Sequence, residues 1–489
     1  MKRKKEKMSG SKNLTIIQLN DSHAYFDLHL EMFWQGDHAV YRPAGGYARI
    51  ATIAKQIRAD SQGRVLFCDC GDTLHGAYPA LKTQGQALIP VLNSLGLDAM
   101  TAHWEFAYGP KVFHQRAAEL NYPMLANNVY DKETKKQVYR SYAVKEIDGL
   151  RIGLVGIASN IVDKTMPPSY SEGIYFTLGK DELPPIVDIL RTQEKVALIV
   201  LVSHLGFPQD IKLLSEVHGI DICLSGHTHN RLYKPVLNGK TIVIQSGCHG
   251  SFLGRLDLEM DGGQIVDYRH RLIEVEAAIQ PDPTIDELIR QAIAPYKNDL
   301  SEVVGETATA LNRGTTLEAT MDNFLLQALL ENTGAQLAFS NGWRYGAPIV
   351  PGKITLNDLY NIIPMNPPVS TVELTGEEIK EMLEENLERT FSCDPYQQMG
   401  GYVKRCLGLN VYFKVENPPG HHIQKLFAGK EEIQPGQYYT AAFVTPQGVP
   451  QKYGRNRENR SERIIDALQT YLVAHRPLYA ELKSTFVAV

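Results

Sequence analysis

The 489 residues contain no apolar run approaching the roughly 18 residues that a membrane-spanning helix needs, so no such helix is expected. Neither sign of charge dominates. Fifty basic against 55 acidic side chains leave a formal net charge of −5, too weak a field to mark nucleic acid or an anionic membrane as the main partner. Cysteine is sparse: Cys68, Cys70, Cys223, Cys248, Cys393 and Cys406 lack CxxC or zinc-ribbon spacing and read as free thiols, which suits a reducing cytoplasm. Internal repeats and low-complexity tracts are absent. The basic start MKRKKEKMSGSKN is followed by LTIIQLN, which Asn20 and Asp21 interrupt too soon for a secretory core. No export signal is read, and a cytoplasmic location is expected.

What is present is the material of a globular protein, 43% hydrophobic and 21% charged, long enough for two or three domains. From residue 14 to about 275, short β-rich apolar runs alternate with amphipathic stretches: VLFCDCGD, YPMLANN, RIGLVGIAS, ALIVLVSH, DICLSGH, TIVIQSG. Each run ends in a polar or Gly-rich cluster. That places Asp, His and Gly along one sheet edge, where open α/β folds build their sites. At IQPDP, residues 279–283, the pattern breaks, and TIDELIRQAIAPYKNDL reads as a connecting helix. Beyond it, helices such as MDNFLLQALLENTG mix with strands such as GLNVYFKV. The expected division is 13–278, a connector helix over 279–300, and an α+β domain over 301–489.

Four strand ends carry the chemistry. Asp21-Ser22-His23 closes the first strand, and alternation points Asp21 and His23 to one face, ready to grip a cation. Alone this pair equally suits a surface Asp and a capping His. After VLFCD, Gly71 lets the chain turn and leaves Asp72 at a strand end, where its two oxygens can bridge two metals or simply cap a helix. His204 ends the apolar run LIVLVS, and a single such residue is often a hydrogen-bonded core histidine. Gly226-His227-Thr228-His229 is more specific, because alternate histidines reach one centre across a tight turn. Taken in order, DxH, GD, a strand-end His and GHxH point to two metal ions. Mixed imidazole and carboxylate donors suit Mn or Zn, with Fe or Co also compatible. Two such ions roughly 3.5–4 Å apart can share a hydroxide nucleophile and clamp a tetrahedral anion.

These residues resemble the calcineurin-like metallophosphoesterases, specifically the 5′-nucleotidase family, over nearly the whole chain. The resemblance implies an α/β fold: an N-terminal four-layer α/β/β/α sandwich over 13–278 joined to a C-terminal α+β substrate domain over 301–489. It implies Asp21, His23, Asp72, His204, His227 and His229 as metal ligands, with Asp72 bridging. The family's GNHEFD segment reads here AHWEFAYG. His103 stands where the Asn ligand belongs and can still coordinate. Trp104 replaces the His that assists the transition state, and its indole donates a hydrogen bond but cannot protonate a leaving group. Ala107 replaces the Asp that orients that His.

HWEFxYG resembles the thiosulfohydrolase, SoxB-like branch of the family, which works with paired manganese on a carrier-bound thiol. Ser340-Asn341-Gly342-Trp343-Arg344 resembles the family's anion-binding turn, and DPYQQMGG followed by Lys404-Arg405 resembles the stretch that supplies an active-site Arg. The GGDGY-type segment that frames a nucleotide base has no counterpart near FVTPQG, residues 443–448. The expected protein is therefore a dinuclear hydrolase of a small phosphate or sulfonate ester, with a sulfur-carrier protein as the partner the branch implies. In it His103 helps hold one ion, Arg344 and Arg405 hold the anion, Trp104 walls the pocket, and Glu105 supports the loop. The alternative from another class is a catalytically impaired anion-binding protein.

Overall fold

The computed structural model describes residues 12–489. The basic start of the chain, from which the missing export signal was inferred, lies almost wholly outside the described residues. Among those described, no helix is long and apolar enough to cross a membrane.

The N-terminal half is built on two sheets. In one the strands run in the order Gln264–Glu274, Phe252–Asp261, Lys12–Leu19, Val65–Asp69, Ala99–Met100. In the other the order is Val236–Asn238, Thr241–Ile244, Ile222–Ser225, Leu198–Ser203, Leu150–Ile157, Tyr142–Ile147. The strands' double-sided apolar sequences explain the layering. Leu14, Ile16, Leu66 and Cys68 face Leu198, Val200, Val202, Ile222 and Leu224 in a core between the sheets. Their alternates go outward: Ile17, Leu19 and Phe67 pack under Tyr47–Asp60 and Ile89–Leu95, while Ile199, Leu201 and Cys223 pack under Leu183–Thr192 and Phe207–Glu216. Burial on both faces of the central strands yields the expected four layers, α/β/β/α.

Segment 279–300 carries the helix Pro283–Ile293, whose first turn is capped by Asp282 accepting from the Ile285 amide at 3.2 Å. Its Ile285 and Ile289 are buried in the N-terminal core beside Ile50 and Leu92. The linking helix is thus part of the first half's packing.

In the C-terminal half a five-stranded mixed sheet runs Tyr402–Leu407, Leu337–Gly342, Tyr438–Phe443, Pro368–Thr375, Arg455–Arg463. Helices Thr320–Thr333 and Ile464–Ala474 cover one face and Gly376–Phe391 the other. Thr375 opens the last helix with a reciprocal cap to Glu378. The halves touch through hydrogen bonds from Tyr345 Oη to the Gly76 carbonyl and from the Ala347 amide to Tyr25 Oη, both 2.7 Å. These contacts set the loop after Leu337–Gly342 against the sheet edge that bears the histidines.

Candidate metal centre

Asp21 and His23 follow Lys12–Leu19, Asp72 follows Val65–Asp69, His204 follows Leu198–Ser203, and His227 and His229 follow Ile222–Ser225. The first and second loops are tied backbone to backbone, the Asp21 amide to the Gly71 carbonyl at 2.9 Å and the His23 amide to the Asp72 carbonyl at 2.7 Å. Asp21, His23, Asp72, His227 and His229 all adopt left-handed backbone, with φ of 51°, 49°, 57°, 71° and 59°. Each such non-glycine residue costs about 1–3 kcal/mol and persists only where its surroundings hold it. Here the turns aim five side chains at one point.

The seven expected ligands form two groups whose donor atoms lie within 4.8 Å of one another: Asp72, His103, His204 and His227, and Asp21, His23, Asp72 and His229. Asp72 belongs to both. Its Oδ2 lies 3.2 Å from His204 Nε2, and its Oδ1 lies 3.2 Å from His103 Nδ1. In the second group His23 Nε2 and His229 Nε2 are 3.3 Å apart, and His229 Nε2 is 3.4 Å from Asp21 Oδ1. Donor atoms about 3.3 Å apart fit a first-row ion bound at roughly 2.0–2.2 Å to N and O.

Electrostatics agree with that donor set. Burial, with the neighbouring histidines, holds His23 down to about 3 and His227 well below its ordinary value, so both imidazoles are neutral, the form that ligates. Burial also opposes charge on His204, yet the carboxylates of Asp72 and Asp21 outweigh it and push His204 up to about 10. Two buried carboxylates without a lysine or arginine between them demand positive charge, and this imidazole supplies it. His204 Nδ1 donates to the Cys70 carbonyl, which turns Nε2 to the carboxylates, 3.2 Å from Asp72 Oδ2, where a cation would take over the charge of the ring. The residues fit a pair of divalent cations.

A cavity of about 300 Å³ lies over the centre. The N-terminal half lines it with His23, Asp72, His103, Trp104, His227 and His229, and the C-terminal half with Asn341, Trp343, Arg344, Arg389 and Lys404. Trp104 donates its backbone amide to Asp72 Oδ1 at 2.7 Å and stacks its indole on His75 at 5.1 Å, as a wall should. Glu105 does not enter the cavity. Its carboxylate accepts from the amides of Thr73 at 2.6 Å and His103 at 2.8 Å, bracing the two loops that carry Asp72 and His103. Arg344 reaches the cavity, held by the Gly401 carbonyl at 2.9 Å.

Arg405 does not line the cavity, contrary to expectation. It is fully buried, with Nε on Asp322 at 2.9 Å and its terminal nitrogens on the carbonyls of Thr315 and Thr316. Lys404, one residue earlier on the strand, faces the cavity instead, because successive strand side chains take opposite sides. Burial brings Lys404 down to about 8, and its Nζ donates to the Gln447 and Gly448 carbonyls. Arg389, on the helix Gly376–Phe391, also went unrecognised, since nothing in an amphipathic helix tells which exposed Arg overlooks a cavity. A third cluster, His29, Glu31 and His249, was missed too. His249 in SGCHG follows an apolar strand just as the ligand histidines do, and that pattern pointed to it.

A four-layer sandwich whose strand ends gather two cation-binding groups on one shared carboxylate defines a metallophosphoesterase-type protein with a candidate dinuclear centre. Residues 301–445 match the family model described as the 5′-nucleotidase, C-terminal domain. The chain is 28% identical over 466 residues to the trifunctional nucleotide phosphoesterase YfkN of Bacillus subtilis, covering 85% of this chain but only 30% of that protein's length. It is 27% identical to the Bos taurus 5′-nucleotidase, covering 84% of this chain and 77% of the relative. Among solved structures it superposes on the sulfate thiohydrolase SoxB of Thermus thermophilus with a TM-score of 0.91 at 25% identity, over 97% of this chain and 96% of that one. A 5′-nucleotidase precursor from the same species gives 0.86 at 22% identity, over 98% and 99%. Residues 301–445 thus carry a 5′-nucleotidase C-terminal domain, and over most of its length the chain is similar to 5′-nucleotidases and to SoxB.

Proposed function

We propose that this protein is a dinuclear metal-dependent hydrolase of a small phosphate or sulfonate ester whose leaving group departs as an anion. The observation that carries the reading is Asp72, one carboxylate shared by two histidine groups under a cationic cavity. Asp21, His23, Asp72 and His229 would hold one ion, and Asp72, His103, His204 and His227 the other. Manganese or zinc suits the donors best. When bound, such a pair supplies Lewis acidity and a nucleophilic water at neutral pH.

The protein's own groups do the rest. Arg344 presents a guanidinium fork to the tetrahedral oxyanion, and Lys404 adds charge at the cavity wall, where Arg389 is paired with Glu385 at 2.6 Å. Trp104 stands beside Asp72 where the family's catalytic His belongs, and with Ala107 in place of the orienting Asp no imidazole there delivers a proton. A thiolate leaves without that proton and an alkoxide does not, which favours a thiosulfonate-type substrate. The close superposition on SoxB supports that choice, and a sulfur-carrier protein would then be the natural donor of the thiol. The second reading, a nucleoside monophosphate, is favoured by the 5′-nucleotidases among its relatives.

One assay separates them. The Mn-loaded protein is offered a thiosulfonate, an aryl phosphate and nucleoside monophosphates, alongside the Trp104→His/Ala107→Asp variant. We expect turnover of the thiosulfonate and weak turnover of nucleoside monophosphates, with the variant gaining about 10²-fold in kcat on the latter. No turnover of any compound by a metal-loaded, folded protein would replace the hydrolase with an anion binder.

A further inference from the structure

The cluster missed in the sequence lies directly behind the metal centre. His249 follows the strand Thr241–Ile244, has left-handed backbone with φ 58°, and donates its amide to the Asp21 carbonyl at 2.6 Å. His249 is 4% exposed, and its ring sits 6.0 Å, centroid to centroid, from both His23 and His229. On its far side His249 Nδ1 is 3.2 Å from Glu31 Oε2. Glu31 also accepts from Ser251 Oγ at 3.0 Å, from the Met32 amide at 2.8 Å and from Arg231 at 2.9 Å. The Arg231 guanidinium already neutralises Glu31, so the trio His29, Glu31 and His249 is better explained as a hydrogen-bonded support than as a third cation site.

That support leaves two open valences. With Nδ1–H donated to Glu31, His249 Nε2 is an acceptor, buried and without a partner. His23 turns Nε2 toward His229 and Asp72, so its Nδ1 carries the proton, and that atom too is buried without a partner. A histidine that ligates metal through one nitrogen almost always donates from the other, which fixes its tautomer and orientation. Here the donor lacking an acceptor and the acceptor lacking a donor sit on neighbouring rings whose centroids are 6.0 Å apart.

We propose that Glu31 and His249 are positioning residues for the cation group that contains His23: Glu31 holds His249, and His249 receives the His23 Nδ1 proton. The inference rests on the dinuclear reading above. It assigns an outer-shell partner to one ion only, because His103, His204 and His227 lie in the other group.

The test is manganese binding, titrated with free Mn(II) followed by electron paramagnetic resonance, on the full chain and on His249→Phe, His249→Gln and Glu31→Gln. The wild type should take two ions. His249→Phe, which keeps the ring volume and removes both nitrogens, should weaken one ion about 10–100-fold and leave the second unchanged. His249→Gln, whose amide can both accept from His23 and donate to Glu31, should recover most of that loss. Should His249→Phe fail to fold, Glu31→Gln reads the same ion. Wild-type affinity for both ions in His249→Phe overturns the proposal. So does equal weakening of both together with a lower melting temperature of the metal-free variant, since that is a packing defect. A wild type that binds no manganese would bring down the dinuclear reading itself.

Discussion

At the scale of single residues, the centre depends on charges that the fold keeps from solvent, and not all of them belong to the ligands. Asp210 lies under the loop that carries His204, accepting from Ser203 Oγ at 2.6 Å, while its second oxygen is buried without a partner. Burial pushes its carboxyl up to about 7 from 3.8. Between those two values the folded protein keeps a proton that the unfolded chain releases. Its contribution to stability is therefore complete below pH 3.8 and is lost as pH rises toward 7. Asp210→Asn keeps the shape and removes the titration. Thermal melts should show the variant gaining on the wild type from about pH 4 to about pH 7 and no further above that, by on the order of a few kcal/mol at most. A gap that does not change with pH would show that Asp210 is ionised in the native state.

At the scale of elements, the loops after the strands do the work, and this is also where sequence and structure can be compared. The two Asp and His groups were legible because Asp and His end apolar runs, and strands buried on both faces leave only their ends free for polar chemistry. The layer order came from the family resemblance, and the double-sided burial of the central strands is its physical reason. Arg405 was misjudged because a KR pair in a strand offers two cations on opposite faces, and only the packing of Asp322 beneath one of them decides which points to the cavity. His249 and Glu31 come from segments 218 residues apart, and no local pattern joins them. Gly71 shows how tightly the loops are drawn. It has φ 89°, and a Cβ there would meet the Thr101 carbonyl at 2.8 Å and His204 Nδ1 at 3.1 Å. Gly71→Ala must therefore adopt strained backbone and move His204 as well. We expect a loss on the order of 2 kcal/mol, seen as a fall of about 4–8 °C in the melting temperature of the metal-free protein. An unchanged melt would mean that the loop can relax away from His204.

At the scale of the whole molecule, neither half makes the site alone. The loops after the N-terminal strands supply the candidate ligands, the C-terminal half supplies Arg344, Lys404 and, from the helix Gly376–Phe391, Arg389, and the segment before Tyr402–Leu407 lies against the candidate centre. Gln209 Nε2 holds the Gln398 carbonyl at 2.8 Å, Arg344 holds the Gly401 carbonyl, and Gly400, with φ 70°, comes so close that a Cβ would overlap His227 Nε2. His227 belongs to one cation group only. Gly400→Ala should therefore either displace His227 or prise the halves apart there, and in both cases it weakens one manganese ion, by roughly tenfold or more, and lowers kcat. Gly401→Ala is the control. Its φ of 78° makes it about as strained, but its Cβ would face the Gly342 carbonyl at 3.1 Å rather than a histidine. If the two variants bind manganese alike, the strain of the loop matters and its contact with His227 does not. If only Gly400→Ala loses an ion, the apposition of the halves is itself part of the metal centre, and closing them is a step in assembling the site.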